Sequence, residues 1–105
     1  MVGEINRMNF HNEVTMCDKL VLVDIYATWC GPCKALTPIL EELATKFVDK
    51  IKVVKLNIDE EESMAASFGI MSVPTVLMFK YGEKVGSFVG LRSLAEIEKL
   101  VEKHL

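Results

Sequence analysis

Two apolar runs, Leu20–Ala27 and Ile51–Ile58, are separated by a stretch in which Leu36, Ile39, Leu40, Leu43 and Phe47 recur at three- and four-residue spacing. The first is apolar on both faces except for Asp24, as expected of a central strand, and the second reads as another buried strand. The stretch between them presents one helical face. Strand, helix and strand in this order make a parallel crossover, because a tight hairpin can join only antiparallel strands. The chain is thereby committed to a helix-covered α/β sheet.

The remaining elements fall around this unit. A short strand near residues 3–6 precedes a short helix from about Asn9 to Cys17, with Asn9 as its N-cap. Pro38 lies inside the long helix that starts at Pro32 and is expected to kink it. Asp59 and Glu62 form a capping pair for a short helix reaching about Phe68. Pro74–Lys80 and Lys84–Val89 flank Tyr81-Gly82-Glu83, a hairpin signal. Ser93 and Glu96 form a capping box, and Leu94, Ile97, Leu100 and Val101 give the last helix its buried stripe. The order is β-α-β-α-β-α-β-β-α: a mixed sheet of about five strands flanked by four helices, with an antiparallel terminal hairpin.

At 105 residues, with no repeat or linker, residues 1–105 read as one domain. The net charge of -3 comes with no basic stretch, which sets nucleic acid aside. The apolar runs are too short to cross a bilayer. Glu4, Arg7, Glu13 and Asp18 interrupt the first twenty residues, which therefore lack the apolar core of a secretion signal. Three cysteines cannot make a disulfide framework, and an unpaired Cys17 fits a reducing compartment. A cytoplasmic location is expected.

Trp29-Cys30-Gly31-Pro32-Cys33 carries the chemistry. A Cys-x-x-Cys pair alone is ambiguous between zinc and redox work. Here it stands where an apolar strand meets a helix, and Cys17, His11 and His104 are poorly placed to complete a zinc site. The loop it would close is tiny, so its disulfide would be a weak staple. The helix N-terminus favours a thiolate on Cys30, which is expected to be the exposed attacker. Cys33, one turn inward, is expected to be the shielded resolver, since well-oriented intramolecular reactions reach effective molarities on the order of 10⁵ M or more. Asp24 is a carboxyl within an apolar strand, too costly to bury ionised and unpaired. Lys55, equally out of place in its own strand, is its expected partner.

The pentapeptide is preceded by Val23-Asp24 and Ala27-Thr28 and followed by Lys34. Lys55-Leu56-Asn57-Ile58-Asp59, Val73-Pro74-Thr75, Phe79-Lys80 with Gly82, and Val89-Gly90 come after it in order. With these the chain resembles the thioredoxin family over essentially its whole length. The resemblance implies a thioredoxin fold and a protein-disulfide reductase working as an electron carrier. It makes Asp24 a proton acceptor for Cys33 through water, with its pKa raised by burial. Gly31-Pro32 resembles the reducing branch of the fold and sets the poise of the pair. Pro74 is expected to be cis, with the backbone of Val73 pairing with an extended client segment. Trp29, Ile58, Val73, Pro74, Gly90 and Leu91 are expected to form the client-binding apron around Cys30.

The same resemblance implies disulfide-containing clients, recharging by an NADPH-dependent thioredoxin reductase, and a monomer. The chain has no Gly-rich dinucleotide fingerprint, so NADPH would belong to the reductase and no cofactor is expected here. Tyr26 stands where the family often has tryptophan, and Met71-Ser72 alters the loop facing the client. Lys34 and the acidic Asp59–Glu62 stretch read as solvated faces, and Cys17 as a small buried hydrophobe. Two alternatives are a thioredoxin-shaped binding subunit of a larger assembly and a disulfide oxidant or isomerase. The second cysteine argues against the former, and Gly-Pro with the missing export signal against the latter.

Overall fold

A computed structural model describes residues 2–105 of the chain. Five strands form one sheet: β1 (Gly3–Glu4), β2 (Leu20–Tyr26), β3 (Ile51–Asn57), β4 (Thr75–Lys80) and β5 (Glu83–Val89). Their spatial order is β1-β3-β2-β4-β5. The β1–β3 and β2–β3 pairs are parallel, and the β2–β4 and β4–β5 pairs antiparallel. Three α-helices cover the sheet: α1 (Gly31–Lys46), α2 (Glu62–Ser67) and α3 (Leu94–Glu102). A fourth, short helical segment at His11–Thr15 is π-type, closed by the Met16 N–H donating to the His11 carbonyl at 2.9 Å. The element order is the expected one. Among the described residues, no helix is long and apolar enough to cross a membrane.

Strand alternation sorts the core into two layers. Leu20, Leu22, Val53, Val76 and Met78 face α1 and α3, where Leu36, Leu40, Leu43, Ile97 and Val101 meet them. Val21, Val23, Ile25, Leu56, Leu77 and Phe79 face the other way, toward Val14 and Ala65. Phe10, Phe68 and Phe79 tie that second layer together with ring centroids 5.7–5.8 Å apart. Cys17 packs at its margin, half-buried rather than buried. Pro38 sits on the exposed side of α1.

Several local expectations are corrected. Asn9 does not cap the first helical segment, whose N-cap Phe10 makes no side-chain cap bond; Asn6 instead caps the turn leading into it. The Asn6 side-chain oxygen accepts the N–H groups of Met8 (2.8 Å) and Asn9 (3.0 Å), and Asn9 returns the bond by accepting the Asn6 N–H at 2.8 Å. Two asparagines three residues apart thus cap each other's backbone, the earlier accepting two N–H groups and the later accepting one. Asp59 does not cap α2, whose N-cap Glu61 makes no side-chain cap bond. The hairpin turn is the two-residue Tyr81-Gly82, both at positive φ (52° and 79°), with Glu83 already in β5. The Ser93–Glu96 capping box is present as expected.

Candidate active site

β2 ends at Tyr26, and the chain turns through Ala27–Trp29 before α1 begins. Cys30 is the N-cap of α1, with extended backbone (φ -96°, ψ 114°). Its Sγ accepts the backbone N–H of Cys33 at 3.2 Å, so sulfur does here what a Ser or Asp oxygen does at an ordinary cap. Pro32 falls in the first turn, where a missing N–H costs nothing. Gly31 and Pro32 are both exposed. Cys30 and Cys33 are joined as a disulfide, with Cα atoms 5.3 Å apart.

The expected contrast in exposure between the two thiols is absent: Cys30 is 5% and Cys33 2% exposed. Cys30 Sγ lies between the first turn of α1 and the Val73 carbonyl oxygen, 3.8 Å away, and both sulfurs pack with Ala27. What distinguishes them is electrostatic. Only Cys30 Sγ receives a helix N–H. A charge on that sulfur would be stabilised by a charge-assisted bond at the positive end of α1.

The apron residues divide. Trp29, Ile58 and Val73 line one groove of about 580 Å³, together with Ala66, Ile70 and Met71 from α2 and the loop after it. Pro74 follows a cis peptide bond, as expected, and is buried. Its carbonyl accepts the Gly90 N–H at 2.9 Å. Gly90 (φ +87°) and Leu91 (49% exposed) lie outside the lining of this groove. Met71 is 95% exposed and adds an unexpected apolar lip. The Trp29 indole N–H donates to Asp59 Oδ2 at 3.0 Å. Asp59 therefore anchors the indole instead of simply facing solvent, a role the local sequence does not show.

Asp24 is 1% exposed, and no protein group bonds its Oδ1. Burial pushes its pKa from 3.8 up to about 6, the Lys55 charge pulling it partly back and Glu4 adding to the rise. Lys55 is the direct register partner of Asp24 on β3. The two nevertheless make no ion pair within 4 Å: the Lys55 ammonium lies over the Tyr26 ring, 4.2 Å from its centroid. A cavity of about 210 Å³ opens beside Lys55, lined also by Cys33, Tyr26, Thr37 and Lys34, and Asp24 is not part of its lining.

A redox pair capping a helix above a mixed five-stranded sheet makes this protein a dithiol–disulfide oxidoreductase. The thioredoxin family model matches residues 1–103. The chain is 39% identical to the thioredoxin of Rickettsia typhi over 105 residues, which is all of both chains. It is 43% identical over 103 residues to the chloroplastic M-type thioredoxin of Chlamydomonas reinhardtii, covering 98% of this chain and 74% of that protein. With the thioredoxin of Bacillus subtilis it shares 46% identity over 86 residues, 82% of this chain and 83% of the other. The chain belongs to the thioredoxin family and has thioredoxin function. These matches favour neither the binding-subunit nor the oxidant alternative.

Proposed function

We propose that this protein is a general protein-disulfide reductase in which Cys30 attacks, Cys33 resolves and Asp24 accepts the Cys33 proton. The observation that carries this reading is the Cys33 N–H on Cys30 Sγ at the start of α1, with the second thiol one turn further in. The Cys30 thiolate attacks one sulfur of a client disulfide; a Cys30–client bond forms and the client S–S bond breaks. The departing client thiolate takes a proton from solvent. Cys33, which lines the cavity beside Lys55, then gives its proton to Asp24 through water and attacks the Cys30 sulfur. The Cys30–Cys33 bond forms, the mixed disulfide breaks and the second client thiolate leaves. Two electrons have passed to the client, and the protein is left in the disulfide state of this structure.

Gly31 and Pro32 set the poise of the pair, and Lys55 moderates Asp24. Trp29, Ile58 and Val73 receive an extended client segment, with Pro74, Gly90 and Leu91 shaping the rim. Recharging requires an external two-electron donor, here a thioredoxin reductase drawing on NADPH. A monomer in a reducing cytoplasm fits the unpaired, half-buried Cys17. Insulin reduction tests the whole: turbidity should rise well above background with dithiothreitol, and again with reductase and NADPH. Rates equal to the uncatalysed control in both assays would overturn the reading.

A further inference from the structure

Register places Glu4, Lys55 and Asp24 side by side on three adjacent strands, since Glu4 pairs with Lys55 across β1–β3 and Asp24 pairs with Lys55 across β2–β3. Residues directly opposite in a parallel pair share a face, and this face is the one covered by α1. Tyr26, two residues after Asp24, projects to the same side. The Tyr26 hydroxyl donates to Glu4 Oε1, and the Lys55 ammonium lies 4.2 Å from the Tyr26 ring centroid. Tyr26, Lys55 and Cys33 line the same cavity of about 210 Å³.

We propose that Glu4 and Tyr26 are positioning residues of the resolving step: Glu4 anchors the Tyr26 hydroxyl, and the Tyr26 ring holds Lys55 beside the Cys33 cavity instead of against Asp24. The inference rests on the reading of Asp24 as the proton acceptor for Cys33. A lysine in direct contact with Asp24 would hold its carboxyl ionised and make it a poor base. Drawn onto an aromatic face, the ammonium keeps a partner through the cation–π attraction while leaving the carboxyl its proton affinity. Glu4 acts in the same direction, because its own negative charge disfavours ionisation of Asp24. The phenol is a dependable donor: burial and the Glu4 bond push the Tyr26 pKa up to about 12, so it stays protonated across the working range.

The ionisable groups that face Asp24 can be named for each element packed on it. β1 brings Glu4, β2 Tyr26 and β3 Lys55, while Cys33 and Lys34 of α1 line the cavity that Tyr26 and Lys55 share. β4 contributes the apolar Val76, its register partner. Glu60 bears on Tyr26 and reinforces its protonated state. The arrangement needs both an aromatic face and a donor at position 26. A phenylalanine at this position would offer a face to Lys55 but no donor to Glu4.

Reaction of the reduced protein with a dithiobis-nitrobenzoate separates the steps. The first thionitrobenzoate released reports attack by Cys30, and the second reports resolution by Cys33. Glu4→Gln should lower the acid midpoint of the second phase by about half to one pH unit, as expected for removing one charge near a buried carboxyl. The first phase should keep its midpoint. Tyr26→Phe should shift the second phase the same way, by freeing both Glu4 and Lys55. The double variant should shift less than the sum of the two, since each change breaks the same link. In an Asp24→Asn background the Glu4→Gln shift should vanish. An unmoved midpoint in Glu4→Gln, with Asp24→Asn still abolishing the acid limb, overturns the positioning role and leaves the Asp24 reading intact. Fully additive shifts overturn the link through Tyr26. A second phase whose pH profile ignores Asp24→Asn overturns the reading of Asp24 itself, and this inference with it.

Discussion

Cys30 and Cys33 are almost equally buried, so the division of labour proposed for them rests on the helix N–H that only Cys30 Sγ accepts. Cys33→Ser should leave attack intact and block release, accumulating mixed disulfides through Cys30 on incubation with client proteins. Cys30→Ser should trap almost none, as non-reducing gels followed by mass spectrometry would show. Equal trapping by both variants would reverse the assignment. Asp24 makes a separate prediction on stability. Its folded pKa of about 6 exceeds the reference 3.8, so the folded state holds the proton more tightly than the unfolded chain. That contribution is fully present below about pH 4 and is lost as pH rises through about 6. The loss amounts to about 3 kcal/mol at neutral pH, since each pKa unit is worth about 1.4 kcal/mol. Asp24→Asn should therefore be more stable than the parent at pH 7.5 by up to that amount, with the gap shrinking toward pH 4. Urea denaturation at the two pH values measures it.

At the scale of elements, two glycines at positive φ separate backbone strain from crowding. Gly90 has φ +87° and open space where a Cβ would stand. Gly90→Ala should cost only the left-handed strain, roughly 1–2 kcal/mol. Gly82 has φ +79°, and a Cβ there would lie 2.8 Å from Thr15 Cγ2. Gly82→Ala should add to the same strain the displacement of the first helical segment from the β4–β5 turn, and so lower the thermal midpoint further than Gly90→Ala does. Helix ends are similarly graded. Ser93→Ala removes the acceptor for the Glu96 N–H and should cost about 1 kcal/mol. Asn6→Ala should cost at least as much, because Asn6 Oδ1 accepts two N–H groups.

For the whole molecule, the radius of gyration is 12.4 Å, close to the roughly 13 Å of a single compact unit of this length. The two core layers share one sheet, so neither helical cover has an apolar partner of its own without it. We propose on this basis that residues 1–105 unfold as one domain. Calorimetry of the reduced protein should give a single transition with matching calorimetric and van't Hoff enthalpies. Two resolved transitions would break the single-domain reading.

The alternation of apolar strands with a three-four-spaced helix determined the element order, because both periodicities are local consequences of backbone geometry. The Ser93–Glu96 box and the dithiol at a strand-to-helix junction were legible for the same reason: donor, acceptor and spacing lie within one turn. Tertiary structure decided what depends on strands distant in sequence becoming neighbours. The order β1-β3-β2-β4-β5 brings Glu4 beside Lys55, and Lys55 then finds the Tyr26 ring instead of the Asp24 carboxylate. Folding the loop after α2 against Trp29 puts Ile70 and Met71 into the groove and turns Asp59 into the anchor of the indole. Spacing reveals that Asp24 lies within an apolar strand, but its pKa depends on depth of burial and on which charges the sheet sets beside it, and neither exists before the chain is folded.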